Sequence, residues 1–273
     1  MRTPVRLLLL NPNTSESMTA RMAEAARAAA APDVEILVAT APHGFPYIAS
    51  RAEAQVGGAI ALEMIAERIG AVDAVVVAAF GDPGVRAARE LFDVPVVGMA
   101  EAAAVTACLI GERFGIVTFT PLMSRWYLDC IRDTGLEARC TGVVTPPRRE
   151  LDVDAAADAM RDELVELVRR SMIEDGADVV ILGGAPLAGL APRIADEVPG
   201  VVIDPIAAAV GQARTLASQA SPAALARRRA RPAAKASTGL PEALARVVAG
   251  GEGSVSQGPG DPPATPAAPA VTR

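Results

Sequence analysis

The stretch VVVAAFGDPGV, residues 75–85, resembles a strand that ends in an elbow of small residues and continues into a helix. An elbow of this kind exposes a side chain at the carboxyl end of a strand, where it can act as a nucleophile, a base or an acid. The exposed positions here are Ala78, Ala79 and Gly81, none of which has a reactive side chain. The stretch therefore has the form of a reactive site without its reactive group.

Two acid–base residues are candidates to supply the missing group. Asp82 is three residues past Ala79, but an aspartate before Pro83 is also a common helix start, so capping of the helix that begins there is the alternative. His43, the only histidine, lies in TAPHGFPYIAS and can exchange a proton near neutral pH. A solvated or structural histidine is the alternative for His43, and we expect Tyr47 in the same segment to form a wall of the pocket.

The first elbow has a counterpart later in the chain. VVILGGAPLAGL, residues 179–190, repeats its pattern of apolar strand, small residues, proline and helix, and Ala79 aligns with Gly184 at an offset of 105 residues. A second pattern, a strand followed by Asn, Thr or Pro and then a helix, repeats at nearly the same offset in LLLLNPNTSESM and GIVTFTPLMSRW. Chance similarity between two strand–helix units is the alternative. The repeat predicts two similar halves related by an approximate twofold axis, with the ligand in the cleft where the carboxyl ends of their strands meet.

Apolar runs rich in Val, Ile and Leu alternate with segments of helical periodicity, which predicts an α/β fold with parallel sheets. We assign the first half to residues 1–98 with 204–218 and the second half to residues 99–203. The predicted strands are 5–10, 34–39, 73–79, 94–98, 114–118, 138–144, 178–183 and 200–203.

Composition changes near residue 219. Residues 219–273 are dense in Ala, Pro, Gly and Ser, so we expect a mostly disordered tail that cannot repay the entropy of folding. Seven basic and three acidic residues give the tail a net charge of +4. Since the whole chain has a net charge of −6, the body has a net charge of −10. An acidic body argues against nucleic acid as its partner, and the basic cluster at 227–231 is interpreted as a solvated run.

Several other classes are disfavoured. Uncharged runs such as 179–192 are shorter than the ~20 residues that cross a bilayer. Cys108, Cys130 and Cys140 have neither Cys-x-x-Cys nor histidine spacing, so we expect free thiols, no disulfide framework and no metal site. We expect a cytoplasmic protein that forms a homo-oligomer and does not contact membranes.

Four segments together resemble the aspartate/glutamate/hydantoin racemase superfamily, most closely its hydantoin and allantoin racemase branch. They are LLLNPNTS at 8–15, FGDPG at 80–84, GERFGIVTFT at 111–120 and VVILGGAPLAG at 179–189, and the resemblance covers about residues 5–217. It implies two α/β halves around a site without a cofactor, in which two cysteines on opposite faces of the substrate carbon remove and return a proton. The positions of those cysteines match Ala79 and Gly184.

Inversion of a carbon next to a carbonyl needs a base on one face and an acid on the other, and alanine and glycine supply neither. We therefore expect no two-thiol mechanism. The binding parts remain, because helix N-termini offer free N–H groups to a small anionic or imide-like ligand. Simple helix capping is the alternative for the polar residues. The expected contacts are Asn11, Asn13, Thr14, Tyr47, Phe80, Gly81, Thr118, Phe119, Gly183 and Ala185.

Three functions are consistent with these features. The first is an isomerase-like or lyase-like enzyme that acts on a small carbonyl or carboxylate compound, such as an amino-acid derivative, without thiols. The second is a catalytically silent relative that binds ligands, and the third is a structural partner that acts through its basic tail. Titratable groups converging in the cleft favour catalysis, whereas backbone donors and apolar walls alone favour binding.

Overall fold

The computed structural model describes residues 4–147, 153, 155–228 and 232–251. Strands and helices alternate along this part of the chain, as the sequence predicts. The strands are β1 Val5–Asn11, β2 Val34–Thr40, β3 Ala74–Val77, β4 Val96–Gly98, β5 Phe114–Val117, β6 Cys140–Val144, β7 Val179–Leu182 and β8 Val201–Ile203. The helices are α1 Glu16–Ala29, α2 Arg51–Arg68, α3 Val85–Leu91, α4 Met99–Ile110, α5 Ser124–Thr134, α6 Ala156–Ala159, α7 Arg161–Ile173, α8 Ala191–Ile194, α9 Pro205–Gln219, α10 Pro222–Arg228 and α11 Glu242–Val248.

The strands form two four-stranded parallel sheets of identical topology. Their orders are β2-β1-β3-β4 and β6-β5-β7-β8, so each strand of the second sheet is the equivalent of the strand four places earlier. The register agrees, since Leu7 pairs with Ala74 in the first sheet and Phe114 pairs with Val179 in the second. The prediction of two similar α/β halves with parallel sheets is confirmed.

The central strands are the most apolar and the most buried. Every residue of β3, β5 and β7 is buried, and so are residues 7–11 of β1. Helices cover both faces of a parallel sheet, which explains why these strands appear as continuous apolar runs rather than alternating ones. The outer strands β2 and β6 are only partly buried, as expected at sheet edges.

Helix α9 brings the chain back to the first sheet after β8. It packs against β1, β3, β4 and α1, and its most extensive packing is against α4. Asp204 begins α9 by accepting hydrogen bonds from the N–H groups of Ile206 and Ala207. Gln212 then donates to the carbonyl of Ala102 (2.8 Å) and to the hydroxyl of Thr106 (2.9 Å), which fixes α9 against α4.

The segment after residue 219 is more regular than its composition predicts. Two short helices, α10 and α11, lie within the predicted disordered tail, and Leu244 and Val247 of α11 are buried against α2. Two apolar side chains one turn apart are enough to dock a short helix on an apolar surface. The disorder prediction is therefore wrong for these two helices, and residues 229–231 and 252–273 of the predicted tail lie outside the described residues.

In the part of the chain that the structure describes, no helix is both long and apolar enough to cross a membrane.

The crossing of α2 over the start of α3 depends on two glycines, which generates a stability prediction. A Cβ on Gly58 would lie 2.9 Å from the backbone nitrogen of Gly84, an approach that no side chain can relieve. Gly58→Ala should lower the free energy of unfolding by about 1–3 kcal/mol. Gly211→Ala is the matched control, because a Cβ there meets nothing within 4 Å and helix propensity favours alanine. Urea unfolding measures both, and equal stability of the two variants would contradict the close crossing.

Candidate functional site

The two elbows have the same backbone geometry. The N–H of Ala78 donates to the carbonyl of Leu10, and the N–H of Gly183 donates to the carbonyl of Val117, each at 2.8 Å. The next residue in each case, Ala79 or Gly184, is the first outside the sheet. Its carbonyl then accepts a hydrogen bond from the residue three positions on, Asp82 or Leu187, at 3.0 Å. Both central strands therefore end in the same tight turn.

The turns leave backbone N–H groups without partners inside the protein. Within the described residues, the N–H groups of Ala79, Phe80, Gly184 and Ala185 donate to no protein acceptor, although all four residues are buried. Buried N–H groups are nearly always paired, so an unpaired set at one place indicates a site for an external acceptor. Two such groups come from each half, in equivalent positions.

A small cavity lies between the elbows. Ala79 of the first elbow and Ala185 of the second both line it, together with Asn13, Tyr47, Ile48, Phe80, Trp126 and Tyr127. Its volume of about 10 Å³ is close to the minimum for one water molecule. A ligand of even modest size therefore requires a side chain of the wall to move.

The walls are mainly aromatic. The chain has only eight aromatic residues, and five of them, including both tyrosines and the single tryptophan, gather here. Their ring centroids are 4.5 Å apart for Phe80–Tyr127, 5.8 Å for Trp126–Tyr127 and 6.3 Å for Tyr47–Phe119. Aromatic walls with few polar groups are typical of sites that bind flat organic ligands.

The polar groups of the cavity are neutral and weakly satisfied. Tyr47 and Tyr127 both direct their hydroxyls to the sulfur of Met123, at 3.1 and 3.5 Å. Asn13 likewise directs its amide nitrogen to the sulfur of Met18 at 3.3 Å. Thioether sulfur is a weak acceptor, so these three donors are available to a ligand with stronger acceptors. The hydroxyl of Thr118, beside Tyr127, is fully buried and makes no hydrogen bond of ordinary geometry.

Burial keeps both phenols protonated. Desolvation raises the pKa of Tyr47 and of Tyr127 well above the usual range of tyrosine. They are therefore hydrogen-bond donors at neutral pH and poor bases.

The other predicted contacts support the site without lining the cavity. Asn11 donates to the side chains of Asn13 (2.9 Å) and Thr19 (2.8 Å) and so orients Asn13. Thr14 donates its backbone N–H to the carbonyl of Phe45, which ties the first loop to the segment that carries Tyr47. Ser15, rather than Thr14, caps α1.

The glycines of the two loops provide close contacts with aromatic rings. A Cβ on Gly183 would lie 3.2 Å from the ring of Tyr127, and one on Gly81 would overlap the indole of Trp126. Gly184 has a φ of 126°, in the region that side chains rarely adopt, and a Cβ there would lie 3.1 Å from the ring of Phe119.

His43 does not line the cavity. Its side chain is 61% exposed, and its Nε2 lies 3.3 Å from the carboxylate of Glu63 on α2. In this conformation it contacts a carboxylate at the surface, and a catalytic role would require movement of its loop.

Asp82 has a different structural role from the one that the sequence predicts. It does not cap the helix after Pro83, since Gly84 is the N-cap of α3. Asp82 instead accepts hydrogen bonds from the N–H groups of Ala100 and Glu101 at 2.8 Å and so caps α4. The capping prediction named the wrong helix, because β4 and α4 lie beside the elbow in space although they are distant in sequence. Asp82 has a positive φ of 51°, which shapes the turn, and its carboxylate faces α4 rather than the cavity.

The sequence predicts that Cys130 is a free thiol but does not predict its position. The three cysteines are free and partly buried, and none lines the elbow cavity. However, the Sγ of Cys130 lies 3.7 Å from the carbonyl of Gly81, just behind the first elbow. Burial, reinforced by the nearby Asp82, raises the pKa of this thiol to about 12, so it is not a thiolate at neutral pH.

The environment of Asp82 predicts a pH dependence of stability. Desolvation raises its pKa from 3.8 to about 7, so its contribution to stability is full below pH 3.8 and is lost as the pH rises through about 7. Relative to Asp82→Asn, the wild type should lose at most about 3 kcal/mol of its free energy of unfolding between about pH 5 and pH 8. Denaturant unfolding at the two pH values measures it. Asp196→Asn, at an exposed position, is the control, and identical pH slopes for the wild type and Asp82→Asn would contradict the assignment.

Comparison with known proteins agrees with this geometry. The family described as Asp/Glu/Hydantoin racemase matches residues 7–213. The hydantoin racemase of Pseudomonas sp. (strain NS671) is 33% identical over 78% of this chain and 86% of its own, and that of Paenarthrobacter aurescens is 32% identical over 78% and 91%. The solved allantoin racemase from Klebsiella pneumoniae has a TM-score of 0.80 and 34% identity over 88% of this chain and 98% of its own. The chain therefore belongs to the Asp/Glu/hydantoin racemase family, and its similarity to these racemases supports an isomerase-type enzyme.

Proposed function

We propose that the protein is a cofactor-independent isomerase-type enzyme that binds a small imide-like or carboxylate ligand between its two elbows. The observation that carries this proposal is the set of unpaired, buried N–H groups at Ala79, Phe80, Gly184 and Ala185. The hydantoin and allantoin racemases among its relatives suggest a ring with two carbonyl groups, one of them bonded directly to the reacting carbon.

Backbone N–H groups in this arrangement can stabilise negative charge on oxygen. When a carbon next to a carbonyl loses its proton, the charge moves to the carbonyl oxygen, and fixed donors in a site without bulk water stabilise that oxyanion. The neutral donors Tyr47, Tyr127 and Asn13 can hold the remaining acceptors of the ligand. Among the residues that the structure describes, no Lys or Arg lines the cavity, so a neutral ring or a single anion suits it better than a dicarboxylate.

Proton transfer must use a group other than two elbow thiols. We take Ala79 and Gly184 to stand where the family carries its cysteines, and neither can exchange a proton. Tyr127 is the best-placed donor, because its hydroxyl lies 3.5 Å from where a Cβ of Gly184 would be. His43 and Asp82 remain candidates for the base only if the loops that carry them change conformation.

A silent ligand-binding relative is the second candidate. One observation favours it, namely that the polar side chains lining the cavity are an amide and two phenols with raised pKa values, none of which is a good base at neutral pH. Binding would then persist without turnover.

Solvent deuterium exchange distinguishes the two candidates. We expect the wild-type protein to bind hydantoin and to incorporate deuterium slowly at its ring carbon, and this exchange should survive replacement of Cys108, Cys130 and Cys140 by serine. Tyr127→Phe should reduce the exchange at least about tenfold, because it removes the proposed acid. Proton NMR in deuterium oxide follows the exchange.

Each alternative result is informative. Binding without exchange would establish the silent relative, and loss of exchange with one serine replacement would show a thiol mechanism. Failure to bind hydantoin, allantoin, aspartate and glutamate would contradict both candidates.

Reintroducing the two thiols tests the elbow positions separately. Gly184→Cys should lower the free energy of unfolding by about 1–3 kcal/mol, because its φ of 126° strains any side chain. Ala79→Cys is the matched control and should change stability by less than about 1 kcal/mol, since a methylene-sized change at a cavity wall is easily accommodated. The double variant should therefore fail to racemise allantoin rapidly. A stable, rapidly racemising double variant, measured by optical rotation, would contradict this geometry.

A further inference from the structure

A second, larger cavity lies directly behind the first elbow. We call it the outer groove. It has a volume of about 560 Å³ between α2, α3 and α5, and its wall includes Arg51, Gly81, Arg86, Trp126, Asp129 and Asp133. Arg51 of α2 forms an ion pair with Asp129 of α5 across it, so the groove spans the two halves of the protein.

Only a thin partition separates the outer groove from the elbow cavity. Trp126 lines both cavities, and the indole of Trp126 packs directly on the Cα of Gly81, which is two residues after Ala79. Any side chain on Gly81 would occupy the place of the indole. Displacement of this one ring would therefore join the 10 Å³ cavity to the 560 Å³ groove.

The indole is held in place by packing alone. Its ring contacts Tyr127 at a centroid distance of 5.8 Å, but its N–H has no hydrogen-bond partner among the residues that the structure describes. By contrast, Tyr47 and Tyr127 are oriented by Met123. A side chain without a polar anchor changes rotamer at lower cost than an anchored one, so Trp126 is the wall element best suited to move.

We infer that the outer groove is the subsite for a substituent of the ligand and that Trp126 determines whether a substituted ligand is accepted. This inference rests on the proposed function, because the carbonyl-bearing ring is taken to lie between the elbows. A substituent on the ring carbon then has room past Gly81, in the groove.

The charges of the groove indicate the chemistry of that substituent. Asp129 is neutralised by Arg51, and Arg86 donates to the carbonyl of Asp133. The carboxylate of Asp133, in contrast, forms no ion pair within the described residues. Carboxylates also surround Cys130 here, which agrees with its raised pKa. The groove therefore suits a substituent that ends in a hydrogen-bond donor, such as an ammonium or amide group.

Three hydantoins with the same ring test the subsite. They are hydantoin itself, 5-butylhydantoin and 5-(4-aminobutyl)hydantoin, and isothermal titration calorimetry measures their dissociation constants. The aminobutyl compound should bind the wild-type protein at least about tenfold more tightly than the butyl compound, as a hydrogen bond to a charged group provides. Asp133→Asn should remove most of this difference, whereas Asp196→Asn, at an exposed position on the second half, should leave it unchanged.

A variant of the partition gives an independent result. Trp126→Phe should tighten binding of both substituted hydantoins several-fold more than binding of hydantoin itself, because a smaller ring opens the partition to the substituent. Three results would overturn the subsite: equal affinity for the three compounds, an equal effect of the two Asp variants, or an equal effect of Trp126→Phe on all three compounds. If hydantoin still binds in these cases, the proposed function stands. Binding of none of the three would overturn both.

Discussion

The structure of the site depends on one constraint. A central strand of each parallel sheet, β3 in the first and β7 in the second, ends in the same tight turn, and the N–H groups that follow are left unpaired inside the protein. A parallel ladder satisfies the backbone up to Ala78 and Gly183 and no further. Small residues follow because a larger side chain would occupy the space that the turn opens. The unpaired groups cost free energy in an empty protein, so a site that retains them on both halves indicates an acceptor that binds there.

Much of this could be predicted from the sequence. Continuous Val, Ile and Leu runs located all eight strands within a few residues, because buried parallel strands need apolar side chains on both faces. The offset of 105 residues between the elbows predicted the repeat that the identical sheet orders confirm. These features depend on local sequence and on periodicity, which is why they are accessible without coordinates.

Features that depend on contacts between distant segments could not be predicted. Asp82 caps α4, which follows β4, rather than α3, which follows Asp82 in the sequence. The position of Cys130 behind Gly81 results from how α5 packs against the first half. The signal for α5 was present in SRWYLDC, whose aromatic pair and cysteine lie one turn apart on a helix, but only the fold shows that they face the first elbow. The two short tail helices were missed because Leu244 and Val247 are few among many small residues.

The second elbow limits how this protein can work. Gly184 adopts a backbone conformation that favours glycine, so any larger side chain at this position would strain the turn. Aromatic rings close the remaining space, and the polar groups that face it are neutral donors. In the proposed function, a ligand is therefore selected by whether its acceptor atoms lie opposite the backbone N–H groups and by which aromatic side chain moves to admit it.

Two-dimensional proton–nitrogen NMR during a titration with hydantoin tests the central claim most directly, because it observes the individual N–H groups. The account predicts that the amide resonances of Ala79, Phe80, Gly184 and Ala185 shift together with a single saturation curve, which would show that one ligand contacts both elbows. Saturable shifts confined to one half of the protein, with the resonances of the other elbow unchanged, would contradict it.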